Sequence, residues 1–282
     1  MLLVTGATGT VGREVVRRLP AELPVRVMAR DPERVTGASA TAELVRGDYR
    51  DPASLVRALR GVGTAFLVTS RVGGDDDAGF VHAARSAGVR RVVKLSAAAV
   101  EDSGADDLIT RWQRGNEELL RRSGMEWTLL RPRAFMSNAL SWAASVRSDH
   151  VVRALCGASG NACIDPRDIA DVAVHALTGG GHAGRAYTLT GPEAITAAEQ
   201  TAQLSELLGR PLRFEELGPE QARTALGERY PRDLVEALLA GAERQRAGAK
   251  ARVDPTVPAL LGRPARCFRG WARDHLSAFV ST

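Results

Sequence analysis

Leu2-Leu3-Val4-Thr5-Gly6-Ala7-Thr8-Gly9-Thr10-Val11-Gly12-Arg13 carries an apolar run into a glycine-rich turn and straight on into a helical pattern. The stretch reads as strand, turn, helix. Gly6 permits the tight turn, Gly9 removes a side chain that would keep backbone N–H groups away from an anion, and Gly12 lets the helix lie close against the strand. An anion at this turn meets the positive end of the helix that starts there. Thr8, Thr10 and Val11 therefore join Gly6, Gly9 and Gly12 as candidate contacts to a dinucleotide diphosphate. The G-x-x-G-x-x-G spacing is a weak signal alone. Its context strengthens it: a helix over 11–19 follows, and a second apolar strand, Val25-Arg26-Val27-Met28-Ala29, completes a βαβ unit.

Outward from that unit, the tip of the second strand is where such folds read the adenosine ribose. Arg30 stands there and suits the 2′-phosphate of NADP(H). Asp31 would instead hold the ribose hydroxyls if the turn shifted by one residue, although an Asp before Pro32 more often starts a turn. Residues 43–46 read as a short strand ending in a Gly47-Asp48 turn. Asp48 either accepts from an adenine amino group, with Tyr49 along the ring, or caps the next segment. Asp51-Pro52 opens a helix over 53–59. A buried strand over 64–70 brings Thr69 and Ser70 to its tip. Asp75, Asp76 and Asp77 read as solvated acids before a helix over 78–87. Strands over 92–96 and 126–132 flank a helix over 108–122. Six strands alternating with helices predict a doubly wound parallel sheet. Ligands gather outside the carboxyl ends of such strands, which groups Gly6 to Gly12, Arg30, Asp48, Thr69, Ser70, Ser96 and the 132–138 loop.

Beyond residue 132 the pattern loosens. Phe135, Met136 and Trp142, with Asn138, would form the wall of a substrate pocket, or would equally be core. Asp165 and Asp168 read as caps and ion-pair partners for arginine around a helix running to Leu177. Residues 184–192 make a seventh strand. Helices follow over 196–208, 219–226 and 231–246, with a strand over 212–217 and a final helix anchored by Trp271 and Phe279. The expected division is a dinucleotide-binding core over 1–132 with 161–190 returning to it, and a smaller C-terminal α+β substrate lobe from 133–160 and 191–282.

Length and composition set limits. The 282 residues can bury a large core, and 44% hydrophobic with 25% charged residues is ordinary for a globular protein. The formal net charge is +5, carried almost wholly by arginine and neutralised locally in most segments, which argues against a nucleic-acid groove. The lysines are Lys94 and Lys250. Cys156, Cys163 and Cys267 show no C-x-x-C spacing, so reduced thiols, a cytoplasmic protein and no metal site are expected. No apolar run approaches the ~20 residues that span a bilayer. The start is too short and too soon broken by glycine to be a signal peptide.

The sequence resembles an atypical short-chain dehydrogenase/reductase of the NmrA-like group over most of its length. The carriers are Gly6-Ala-Thr-Gly9-Thr-Val-Gly12, Gly47-Asp48-Tyr-Arg-Asp51, Val93-Lys-Leu-Ser96, Ser123-Gly124 through Arg131-Pro132-Arg-Ala-Phe135-Met136-Ser-Asn138, and Ile164-Asp165-Pro-Arg-Asp168-Ile-Ala. The resemblance implies a Rossmann NAD(P)-binding core, NADP(H) where arginine follows the second strand, and a C-terminal lobe closing over the nicotinamide. It adds Arg131 and Phe135 to the cofactor contacts, with Phe135 shared by the substrate.

Short-chain dehydrogenases of the usual kind protonate the carbonyl with a tyrosine whose pKa is lowered by a lysine four residues on. Here those places fall to Gln113 and Glu117. A developing oxyanion must then be met by Gln113, by Ser96 or by water, unless Gln113 is an exposed helix residue and Ser96 bonds only backbone. The reading is an NADPH-dependent reductase of a small apolar carbonyl, quinone or iminium compound, with bacterial secondary metabolism as its expected setting, working as a monomer or homodimer. The alternative is an NADP(H)-binding sensor that does not turn its cofactor over. An epimerase is disfavoured, since that chemistry also leans on the missing tyrosine.

Overall fold

The strand β1 (Leu2–Val4) is buried along its whole length and lies inside a seven-stranded sheet in the computed structural model, which describes residues 1–280. The other strands are β2 (Val25–Ala29), β3 (Glu43–Arg46), β4 (Thr64–Leu67), β5 (Arg91–Leu95), β6 (Glu126–Pro132), β7 (Val151–Ala154), β8 (Arg185–Leu189) and β9 (Arg213–Glu216). The helices of the first half are α1 (Thr10–Arg18), α2 (Pro52–Leu59), α3 (Asp76–Ser86), α4 (Leu108–Arg121) and α5 (Ala143–Asp149). Then come α6 (Pro166–Thr178), α7 (Ala197–Leu208), α8 (Pro219–Gly227), α9 (Arg232–Arg246), α10 (Thr256–Leu261) and α11 (Phe268–Asp274).

The large sheet runs β3-β2-β1-β4-β5-β6-β8, with β1 to β6 paired in parallel. The order reverses between β1 and β4, and that switch point opens a crevice at the strands' carboxyl ends. Strand β3, at the edge, is mostly exposed, whereas the interior β4 is buried from Ala65 to Leu67. Leu3, Leu55, Leu59, Leu67, Phe80 and Leu129 belong to the core packed on this sheet.

The chain divides into two compact units. The first comprises Met1–Val100, Arg111–Pro132 and Pro166–Thr188; the second comprises Glu101–Thr110, Arg133–Asp165 and the residues from Leu189 onward. The second unit holds a two-stranded parallel sheet, β7 with β9. Its β7, like α10, falls in segments where no element was expected. Four residues of one face are too few for a periodic signal, and β7 exists because β9 offers it a ladder. Thr196 and Glu199 form a reciprocal capping box at the start of α7. Trp271 and Phe279 are buried as expected, each in its own cluster. Among the described residues no helix is long and apolar enough to cross a membrane.

Candidate functional site

The turn after β1 is built by backbone constraints. Gly6 has φ +66°, and a Cβ on it would come within 2.8 Å of Val68 Cβ. A Cβ on Gly12 would meet Gly6 O at 2.2 Å, so Gly12 serves close helix–turn packing, as its spacing implied. Thr5 joins the two strands of the switch point: its hydroxyl donates to Phe66 O at 2.9 Å and accepts Val68 N–H at 2.9 Å. Gly9 is the N-cap of α1 and brings no side-chain cap, nor does any acid occupy the first turn. The leading N–H groups of α1 thus keep their capacity for an external anion. Thr8, Gly9 and Thr10 are exposed there, while Val11 and Gly12 are buried and can offer only backbone.

A cleft of about 440 Å³ is lined by Gly6, Thr8, Gly9, Arg30, Asp48, Tyr49 and Ser70. Its wall continues into a second groove that shares Arg30, Gly47 and Asp48 and adds Arg46 and Arg57. Among the described residues, no carboxylate forms an ion pair with exposed Arg30; Arg46 Nε donates to the Arg30 carbonyl at 3.0 Å. The Asp48 carboxylate accepts Arg50 N–H at 2.9 Å, and this bond, then the Arg50 side chain, holds its carboxyl below the usual range. Asp48 so stabilises its own turn while lining the cleft, and Asp51, not Asp48, caps α2. Tyr49 donates to Val68 O at 2.7 Å and packs edge-on against Phe80, which fixes its ring. These features fit a dinucleotide with a 2′-phosphate: a cradle that side chains would fill, an uncapped helix start and an unneutralised guanidinium.

The strand-five side corrects several expectations. The Ser96 hydroxyl donates to Glu117 Oε1 at 2.6 Å, so its single proton is engaged and Ser96 is no oxyanion donor. Arg131, expected at the cofactor, donates to both Glu117 oxygens, at 2.9 and 2.6 Å, and so joins this buried network. Burial pushes the Glu117 carboxyl up, but the bonds from Arg131 and Ser96 outweigh it and hold the group ionised, below its usual range. Thr69, expected at the cofactor, donates to Asp77 Oδ2 at 2.6 Å. Asp76 and Asp77 are not solvated: they are 8% and 1% exposed, and Asp77 Oδ1 lies 2.5 Å from the ammonium of fully buried Lys94. Strand β5 delivers that lysine, and local sequence around 75–77 contains no trace of it.

Gln113 is buried, with Oε1 lacking a hydrogen-bond partner, and Asn116, three residues on, is buried with Nδ2 lacking one. Sequence reasoning left Gln113 open and missed Asn116; the i, i+3 spacing on one helix face was the available signal. Unpaired buried amides are uncommon enough to require a reason.

In the second unit, Phe135, Met136, Asn138 and Trp142 line one cavity of about 190 Å³ with Asn161, Gln200 and Gln245. Met136 is also core, packed with Cys163, Phe268 and Trp271. Trp142 packs against the same cluster, while Phe135 lines the cavity without belonging to that core. Cys163 accepts from Gln200 Nε2 at 3.2 Å, and burial raises its thiol to about 12, which rules it out as a nucleophile near neutrality. Phe135, offered to both cofactor and substrate, lies with this cavity. Among the described residues no group of three or more His, Cys, Asp or Glu is arranged to hold a metal ion.

Residues 6–179 match the model of an NAD(P)H-binding family. The chain is 61% identical, over 99% of both chains, to a (4-alkanoyl-5-oxo-2,5-dihydrofuran-3-yl)methyl phosphate reductase of Streptomyces griseus. It is 39% identical, again over 99% of both, to an NAD(P)H azoreductase of Xenophilus azovorans. Among solved structures, the NADPH complex of the quinone oxidoreductase QOR2 from Escherichia coli superposes with a TM-score of 0.86 at 26% identity, over 98% of this chain and 100% of that one.

Proposed function

The chain belongs to the NAD(P)H-binding reductases of the NmrA-like, atypical short-chain dehydrogenase type and is an NADPH-dependent oxidoreductase; on that premise we propose that it reduces the conjugated C=C bond of a butenolide phosphate ester. That substrate class is the one named for the Streptomyces griseus relative. Its ring double bond carries two carbonyls on one carbon, the lactone C=O and the alkanoyl C=O. Bound NADPH supplies a hydride. Reduction at the other alkene carbon leaves negative charge on the carbon between the carbonyls, where both oxygens share it, and a proton added there completes the saturated lactone.

The observation that carries this reading is α4, which offers amides and an ionised carboxylate where related enzymes keep a proton donor. Gln113 and Asn116 are neutral, and Glu117 is held ionised by Arg131 and Ser96. An isolated ketone would demand a proton as the C–O⁻ forms. A 1,3-dicarbonyl enolate is weakly basic and needs only hydrogen bonding until water protonates it. In this reading the Asn116 Nδ2, which lacks a partner, donates to an enolate oxygen, and the Gln113 Oε1 accepts from the water that protonates the carbon. The N–H groups leading α1 hold the cofactor diphosphate, while Arg30 with Arg46 takes the 2′-phosphate.

The test is NADPH consumption with a synthetic butenolide phosphate, beside its ring-saturated counterpart, which retains both carbonyls. Stoichiometric formation of the saturated lactone, with the saturated counterpart inert, is the expected result. Turnover of azo dyes or quinones with the butenolide untouched would overturn the assignment.

A further inference from the structure

Three cations of the second unit have no carboxylate of their own. Arg133 follows β6 directly, and its N–H donates to Leu189 O at 2.9 Å, which fixes the backbone there. Its Nε is buried without a hydrogen-bond partner. Among the described residues, no ion pair forms at Arg133, Lys250 or Arg252. The acids in the neighbourhood of Arg133 are Glu101, Asp102 and Asp254. Asp102 pairs with Arg244 at 3.2 Å, as does Asp107 at 2.7 Å, and Asp254 Oδ1 accepts Thr256 N–H and Oγ1–H at 3.0 and 2.6 Å. Lys250 Nζ reaches only Gln245 Oε1, at 3.4 Å. Burial first, then the charges of Arg244 and Arg133, pull the Lys250 ammonium below its usual pKa.

Lys250 reaches the cavity already described through Gln245, and Arg133 immediately precedes Ala134 of its wall. Gln245 and Asn161 line it, Asn161 Nδ2 contacts Gln245 Oε1 at 3.4 Å, and Asn161 Oδ1 is buried without a partner. The Lys250 carbonyl accepts Ala162 N–H at 2.9 Å, tying the two segments together. Half-buried like charges without counter-ions are unfavourable in the free protein, and a dianion would reverse the sign of that interaction. A fully solvated basic face would show neither the orphaned Nε nor the shared amide wall.

We propose that Arg133 and Lys250, beside the Asn161–Gln245 wall, form the subsite for the phosphate monoester of the substrate. The assignment rests on the butenolide phosphate reading for the identity of the monoester. It makes the phosphate a specificity handle held in the second unit.

The experiment compares kcat/KM for the butenolide phosphate with that for its dephosphorylated alcohol. Arg133→Gln and Lys250→Gln are each expected to cut the ester-to-alcohol ratio tenfold or more, through KM, with NADPH affinity and melting temperature unchanged. Arg133→Lys should restore part of the preference. Parallel losses on ester and alcohol, or an unchanged ratio, would overturn the subsite. Should the wild type reduce neither compound, the reductase reading fails separately, and ³¹P line broadening of butyl phosphate on NADPH-saturated protein decides the subsite. Broadening that disappears in Arg133→Gln supports it; no broadening in the wild type ends it.

Discussion

A serine at a strand tip can donate to a ligand only if no nearer group already holds its proton. Ser96 gives its proton to Glu117 at 2.6 Å, whereas α4 keeps two amide atoms with no partner, the Asn116 Nδ2 donor and the Gln113 Oε1 acceptor. Ser96 and Gln113, alike as candidates from sequence, therefore separate in function. Ser96→Ala is expected to lower stability by about 1.5–3 kcal/mol, the scale of one hydrogen bond to a charged group, and to leave turnover unchanged. Gln113→Ala should slow turnover with NADPH affinity intact; steady-state kinetics and a fluorescence titration on both variants check the pair. Arg30 belongs to the same scale. Its guanidinium has no ion-pair partner among the described residues and lines both grooves. Arg30→Ala should weaken NADPH by about 1.5–3 kcal/mol, the range for a charged hydrogen-bond partner, while NADH affinity barely moves. Equal losses for both cofactors would place the 2′-phosphate elsewhere.

The first βα unit works as an element because helix and turn approach closer than any side chain allows. Gly12→Ala puts a methyl 2.2 Å from the Gly6 carbonyl oxygen, a contact relieved only by moving α1 away from the turn. The expected result is a loss of about 1–3 kcal/mol of stability, the usual scale of overpacking, together with weaker NADPH binding, read by denaturant unfolding and titration. Helix α3 is tied to the sheet differently, by Lys94 on β5 and Asp77 on α3, both essentially excluded from water. Removing one partner strands a buried charge. Asp77→Ala should therefore cost about 3–5 kcal/mol, and the double change Lys94→Met with Asp77→Leu markedly less, because the loss comes from the unpaired ion more than from the pair. A double variant as unstable as the single one would refute that account.

For the whole molecule, several groups push stability in the same direction with pH. Burial raises the carboxyls of Glu117 and Asp107, but hydrogen bonds from Arg131 and Ser96 to the first, and from Thr110 with the Arg244 charge on the second, leave both below their ordinary values. A folded-state value below the unfolded one contributes stability that is complete above the unfolded values, 4.5 and 3.8, and lost as pH falls through the folded ones. His182 is pulled down by burial first, then by His175 and Arg91, so its share begins to fade below 6.5. Melting temperature should decline gently under pH 6.5 and steeply below about 4.5. Glu117→Gln should start lower at neutral pH and show a flatter acid limb, as circular dichroism melts would reveal. The alternating pattern and the first glycine turn were enough to determine the doubly wound sheet and the close turn into α1, because each is written as a local pattern of residue types, strand by strand and glycine by glycine. The partners of Ser96, Arg131, Thr69 and Asp77, the unpaired amides of Gln113 and Asn116, and the company of Arg133 and Lys250 were decided only by tertiary structure. A side chain's function as donor, acceptor or buried ion depends on which distant residue the fold sets against it, and that neighbour leaves no mark in the residue's own stretch of sequence.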